Sequence, residues 1–122
     1  MSKEEKQSKK DRPVHLFEVP ERLADETNVK EVGLITLTAD EELMCFKRAS
    51  GNNAKLATEL AKASLYEVDG KKLSAGDGSV DSFWKDMDPR LRQLVLTAYT
   101  EIHAAKEDDV ASFLTSRKLR AG

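Results

Sequence analysis

The chain has a single cysteine, Cys45, among 122 residues. One cysteine excludes an internal disulfide and is typical of a protein that works in a reducing compartment. No apolar run approaches the roughly 18 residues that a membrane-spanning helix needs, and the charged start at Met1–Lys6 is unlike an export signal. These absences predict an intracellular protein without a membrane anchor.

An excess of charge of one sign is also missing. The chain has 20 Lys and Arg against 22 Asp and Glu, which gives a net charge of −2. Nucleic-acid binding needs clustered cations that neutralise phosphates, and only the two ends, at Lys9–Lys10 and Arg117–Arg120, are basic. Nucleic acid is therefore a disfavoured partner.

Side chains that perform chemistry are scarce. His15 and His103 have no Cys, Asp or Glu partner at a metal-site spacing, and Cys45 has no histidine nearby to activate its thiol. A protonated imidazole would be mildly favoured at His103, which lies near a predicted helix end. The acidic runs at Asp40–Glu42 and Glu107–Asp109 suit helix starts and do not match a calcium loop. We predict no metal, no cofactor and no enzymatic activity.

The length of the chain supports one domain. Residues 1–12 are almost all polar or charged and are predicted to form a disordered tail. Residues 13–120 are predicted to form a single small domain. A charged fraction of 34% against 39% hydrophobic residues predicts a modest core under a strongly hydrated surface.

Three segments predict β structure. Val14–Val19 is β-prone and is stopped by Pro20, which favours an edge strand. The apolar run at residues 32–37 favours a buried strand. Residues 65–73 are predicted to form a hairpin, because Asp69-Gly70 is a favoured two-residue turn.

Helix signals dominate the rest, which predicts an α+β fold that is predominantly α-helical, with four to five short helices. Residues 21–31 are polar, and the sequence predicts either a loop or one weak helical turn there. The capping box at Thr38–Glu41 begins a helix whose inner face is predicted to carry Leu43, Phe46 and Ala49. Further helices are predicted from about 54 to 64, from 79 to 87, from the Asp88-Pro89 start onward, and from about 107 to 117.

The strongest amphipathic stripe follows Pro89 and is a candidate groove for a partner's helix. Packing in the core would explain the same apolar residues. For Trp84 the sequence leaves both roles open, a core residue and a partner-binding residue. Arg90, on the polar side, is either a charged rim or part of a solvated face. The candidate partner-binding residues are Trp84, Arg90, Leu91, Leu94, Val95, Tyr99, Phe113 and Leu114.

The order of these parts, from about Leu34 to Lys118, resembles the small tail assembly chaperones of tailed bacteriophages. The resemblance is carried by LTADEEL at 37–43, the hairpin sequence YEVDGKKLS at 66–74, and the final part at 83–118. In that final part an aromatic pair precedes DPRLR, and a helix containing LVLTAY is followed by an acidic turn and FLTSR.

The resemblance implies a non-enzymatic protein in the host bacterial cytoplasm. Such a protein would bind the tape measure protein of the same phage and keep it soluble while the tail tube protein polymerises. Two other roles stay open: a minor structural or connector protein that remains in the virion, and a small helical regulatory protein.

Overall fold

A computed structural model describes residues 11–74 and 76–121, which form a mostly helical α+β fold, as the sequence predicts. Residues 1–10, most of the predicted tail, lie outside the described ranges. The elements in chain order are β1 (His15–Glu18), α1 (Glu21–Thr27), β2 (Glu31–Leu34), α2 (Ala39–Ala49), α3 (Asn53–Ser64), β3 (Leu65–Val68), β4 (Lys71–Lys72), α4 (Ser79–Asp86), α5 (Pro89–His103) and α6 (Glu107–Thr115).

The four strands form one antiparallel sheet in the order β1-β2-β3-β4. β1 lies at an edge and β2 in the middle, so the predicted edge strand and buried strand are confirmed. β2 ends at Leu34 and not at Leu37. The pairing with β3 shifts between Gly33 and Leu34, and the Ile35 N–H donates to the Ser64 carbonyl, 2.9 Å away, at the end of α3.

The predicted hairpin joins β3 to β4 through Asp69 and Gly70, whose φ angles are 51° and 81°. Two consecutive left-handed residues are what a two-residue turn of this kind requires. The Asp69 carboxylate also accepts hydrogen bonds from the N–H groups of Lys30 and Glu31, at 2.9 and 2.8 Å. The turn therefore ties the hairpin to the start of β2.

Helix starts follow the local sequence closely. Thr38 and Glu41 form the predicted capping box, with each side chain accepting the backbone N–H of the other residue. Asn52 caps α3 by accepting the Lys55 N–H, and Asp88 caps α5 just before Pro89. Each cap satisfies a backbone N–H group that has no partner within the first turn.

α1 occupies the polar stretch for which sequence left a loop or a weak helical turn open. Its one buried residue is Leu23, which belongs to the core cluster. The helix ends at Thr27, and its C-cap, Asn28, adopts a left-handed conformation with φ of 62°. Burial of Leu23 stabilises a segment whose local helix signals are weak.

Arg12 belongs to the fold and not to the tail that the sequence predicts up to residue 12. Its side chain is buried, and its Nη1 lies 2.8 Å from the Thr36 carbonyl oxygen. Nη1 and Nη2 also donate to the two carboxylate oxygens of Glu41, at 2.7 and 2.9 Å. This bidentate ion pair fastens the chain before β1 to the start of α2.

Candidate interaction surfaces

Three predicted partner-binding residues belong to the core. Trp84, Leu91 and Val95 have exposed fractions of 6%, 1% and 0%. They pack with Leu34 of β2 and Leu65 of β3 in one cluster that joins the sheet to α4 and α5. Most of the predicted stripe on α5 is therefore internal packing and not a surface that a partner contacts.

Arg92 covers the outer side of Trp84. Its guanidinium lies 5.5 Å from the centre of the indole, a cation–π arrangement. Its Nε and Nη2 donate to the Trp84 carbonyl at 3.0 and 2.6 Å, near the end of α4. Arg92 thus stabilises the end of α4 and shields the tryptophan from solvent.

Arg90 is held in an ion-pair network. It donates to both carboxylate oxygens of Asp88, at 3.1 and 2.9 Å, and to Glu26 of α1 at 2.8 Å. Hydrogen bonds from Arg90 lower the pKa of Asp88 to about 2, and bonds to Asp88 and then Glu26 raise the pKa of Arg90. Because all three side chains are substantially exposed to water, this network contributes little stability. It positions α1 beside the start of α5.

Tyr99 is half-buried and faces α2. Its hydroxyl donates to the Glu42 carboxylate at 3.1 Å, and its ring lies 4.1 Å from that of His103, centre to centre. Burial, and next the negative charge of Glu42, raise the pKa of Tyr99 to about 12. The contact keeps the end of α5 next to the first turn of α2.

His103 has a structural role, because both of its ring nitrogens lie within hydrogen-bond distance of backbone groups. The Leu37 N–H donates to Nε2 at 2.9 Å, so that nitrogen must carry a lone pair. Nδ1 lies 2.8 Å from the Tyr99 carbonyl oxygen and must therefore carry the hydrogen. The ring therefore links the last turn of α5 to the segment just before α2.

Substituting His103 with phenylalanine should lower the free energy of unfolding by about 1–2 kcal/mol, because the partly buried Leu37 N–H loses its acceptor. The ring and its stacking on Tyr99 are largely kept. Urea denaturation followed by circular dichroism measures the change. The matched control is His15→Phe at an exposed position on β1, where we expect a change within about 0.5 kcal/mol. Equal losses in the two variants would contradict the assigned role.

Leu94 lies at an apolar groove of about 300 Å³ between β1 and α5. Phe17, Val32 and Ala98 contribute to its apolar lining, and Glu18 and Glu101 add two acidic side chains. Such a groove is a candidate contact for apolar groups of a partner. At this groove, part of the predicted α5 stripe is accessible to a partner.

The largest correction concerns α2. Its predicted inner residues Leu43 and Phe46 are 50% and 56% exposed, whereas Cys45 and Ala49 are buried. The Cys45 thiol lies 3.5 Å from the Glu59 carbonyl of α3, so the small side chains of α2 face its neighbour. Two helices approach closely where small side chains meet, and this contact turns the larger side chains outward. Only Ala49 of the predicted inner face is confirmed.

Leu43 and Phe46 are not isolated on the surface. Together with Leu56 and Leu60 of α3 they line a shallow depression of about 410 Å³ along the α2–α3 pair. We call these four residues the helical-hairpin surface. Sequence reasoning missed it, although α2 carries two apolar stripes, a small one with Cys45 and Ala49 and a large one with Leu43 and Phe46.

The predicted binding residues on α6 are exposed to solvent and can contact a partner. Phe113 and Leu114 are 75% and 64% exposed, and Val110 lies one turn earlier on the same face. Every residue from 104 to 121 is exposed, so α6 contributes nothing to the core. The helix ends at Thr115, and the basic residues predicted for its last turn follow it.

A wide polar depression of about 920 Å³ lies beside β1, α1 and the hairpin turn. Acidic side chains line much of it, and one of these, Asp69, is already bonded to the backbone of β2. Within residues 11–74 and 76–121, no three His, Cys, Asp or Glu side chains are grouped as a metal site would need. Over the same ranges, no helix has the length and apolar character that crossing a bilayer requires.

No protein-family model, curated protein or solved structure matches this chain. What the protein binds is therefore inferred from its own surfaces. Two of them, the helical-hairpin surface and the apolar face of α6, expose large apolar side chains next to charged ones. Exposed apolar patches with polar rims are typical of sites that bind other proteins.

Proposed function

We propose that this protein is a non-enzymatic tail assembly chaperone of a tailed bacteriophage. In this proposal it binds the tape measure protein of the same phage in the host bacterial cytoplasm and keeps it soluble while the tail tube protein polymerises. The assignment to phage tails is supported by the resemblance over residues 34–118. Binding of a helical client is supported by the helical-hairpin surface.

The helical-hairpin surface has the form that a client helix needs. Leu43 and Phe46 on α2 face the same side as Leu56 and Leu60 on α3, leaving a depression between two adjacent helices. An amphipathic helix binds such a depression through apolar side chains spaced three and four residues apart. A long tape measure helix would otherwise expose those side chains to water.

Charges around the surface suit a protein that must stay dissolved while it holds an apolar client. The first turn of α2 is acidic and its last turn is basic. Mixed charges of this kind limit self-aggregation through the exposed apolar residues. They also favour one orientation of a bound helix over the other.

Phe46→Glu should reduce the soluble fraction of the co-expressed tape measure protein several-fold, because a charge replaces the centre of the apolar depression. The side chain is 56% exposed, so folding should be retained. Soluble and pelleted client are compared after co-expression, with circular dichroism of the variant as a check on folding. The matched control is Gln93→Glu, which adds the same charge at an exposed site on α5.

Equal client solubility with Phe46→Glu and with the wild type would contradict this use of the surface. Mass spectrometry of purified virions separates the chaperone from a minor structural or connector protein. A chaperone should be scarce or absent there, whereas a structural protein would be present in a fixed number of copies.

A further inference from the structure

α6 has an apolar face, and among the described residues of the chain none covers it enough to bury any of its side chains. Val110, Phe113 and Leu114 share one side of it and are 45%, 75% and 64% exposed. A nine-residue helix is short for stability in isolation. Packing of its apolar face against another surface would therefore stabilise the helix.

α6 and α2 have the same order of charges, acidic at the start and basic at or just after the end. Opposite charges therefore face each other when the two helices run antiparallel. α6 begins with Glu107–Asp109 and is followed by Arg117 and Lys118. α2 begins with Asp40–Glu42 and ends with Lys47 and Arg48. Antiparallel packing brings acidic turns next to basic ones at both ends, and parallel packing brings like charges together.

The connection between α5 and α6 prevents this antiparallel packing within one chain. His103 at the end of α5 contacts Leu37, two residues before α2 begins. α6 therefore starts near the acidic end of α2. Only Ala104–Lys106 connect the helices, and Lys106 Nζ bonds to Glu101 of α5 at 2.6 Å, which folds the connection back.

Distances lead to the same conclusion. Four residue steps from His103 to Glu107 span at most about 14 Å when fully extended. α2 has 11 residues. Its length is therefore about 16 Å. Even a fully extended connection is therefore too short to reach the basic end of α2, and extending it would also break the Lys106–Glu101 pair.

We propose that α6 of one copy docks on the helical-hairpin surface of a second copy, antiparallel to α2, so that two chains exchange their α6 helices. The apolar residues of α6 then fill the depression between α2 and α3, and the charged ends pair across the contact. A two-fold axis makes the exchange reciprocal, so the dimer contains two identical contacts.

This self-association does not depend on the identity of the client. Only its consequence depends on the proposed function: the paired α6 covers the same surface that the client helix uses, so the client must displace it. The apolar surface is then sheltered until a client arrives. The dimer and the client complex can be measured separately.

Sedimentation velocity of the full chain without client tests the exchange. The wild type should form a dimer, and Phe46→Glu and Phe113→Glu should each raise the dimer dissociation constant by at least about tenfold. Gln93→Glu should leave it unchanged. Circular dichroism confirms that each variant is folded.

A mixture of the two weakened variants distinguishes reciprocal exchange from other contacts. The Phe113→Glu chain keeps an intact receiving surface and the Phe46→Glu chain keeps an intact α6, so a mixed pair retains one good contact. The mixture should associate more tightly than either variant alone. Contacts between two α6 helices, or between two α2 helices, would give no such recovery. A monomeric wild type, or no recovery in the mixture, overturns the proposal.

Client solubility then separates the two ideas. Phe113→Glu should weaken the dimer while keeping the co-expressed tape measure protein soluble, because the receiving surface is intact. Phe46→Glu should lose both properties. A dimer with the expected mixing behaviour and no effect on any client would leave the exchange standing and remove the chaperone role.

Discussion

Replacing Trp84 with alanine is expected to lower the free energy of unfolding by about 3–5 kcal/mol. The indole is 6% exposed and belongs to the cluster that joins α4 and α5 to the sheet. Its loss leaves a cavity that neighbouring side chains can fill only partly. The guanidinium of Arg92, 5.5 Å from the ring centre, loses its cation–π partner as well.

Urea denaturation measures this change, and circular dichroism is the suitable signal because the variant lacks the only tryptophan. The matched control is Leu119→Ala, a large apolar residue after α6 that is 86% exposed, where a change within about 0.5 kcal/mol is expected. A loss below about 1 kcal/mol in Trp84→Ala would contradict its assignment to the core. At concentrations of urea where the variant is folded, client binding should be retained.

Glu41→Ala is the second substitution with a large expected effect, a loss of about 3–5 kcal/mol in the free energy of unfolding. Glu41 accepts both guanidinium nitrogens of Arg12, whose side chain is 6% exposed. Removing the carboxylate deprives a buried cation of both hydrogen bonds that it donates to Glu41. The Thr38 N–H loses its acceptor in the capping box at the same time.

The same denaturation experiment on Glu21→Ala is the control, because that residue is also an acidic side chain in the first turn of a helix but is exposed. It should cost no more than about 1 kcal/mol. The double variant Arg12→Ala, Glu41→Ala should cost less than the sum of the two single changes, since either single change already breaks the ion pair that the two side chains share. Additive losses would show that the two side chains act independently.

Features that depend on neighbouring residues were predictable from the sequence. The capping box at Thr38–Glu41, the Asp88-Pro89 helix start and the Asp69-Gly70 turn all occur where their patterns place them. Each is decided by backbone groups within three or four residues of the side chain that bonds to them. The mostly helical α+β class follows from the sum of such signals.

The candidate surfaces were less predictable. The sequence marked Phe113 and Leu114 correctly as a pair on one face, but a stripe of apolar residues looks the same whether it packs inside or faces water. Leu91 and Val95 carry the same signal and are buried. What separates them is that α5 packs against β2 and α3, whereas every residue of α6 is exposed in the described part of the chain.

By itself, then, the amino-acid sequence determined where helices and turns begin, because those choices depend on hydrogen bonds between residues close in the chain. Tertiary structure decided which side of each helix is covered. The close contact of Cys45 and Ala49 with α3 turned Leu43 and Phe46 outward, and the pairing of Arg12 with Glu41 drew the tail's last residue into the fold. Both outcomes depend on residues distant in sequence, whose fit in size and charge is known only once the elements are packed together.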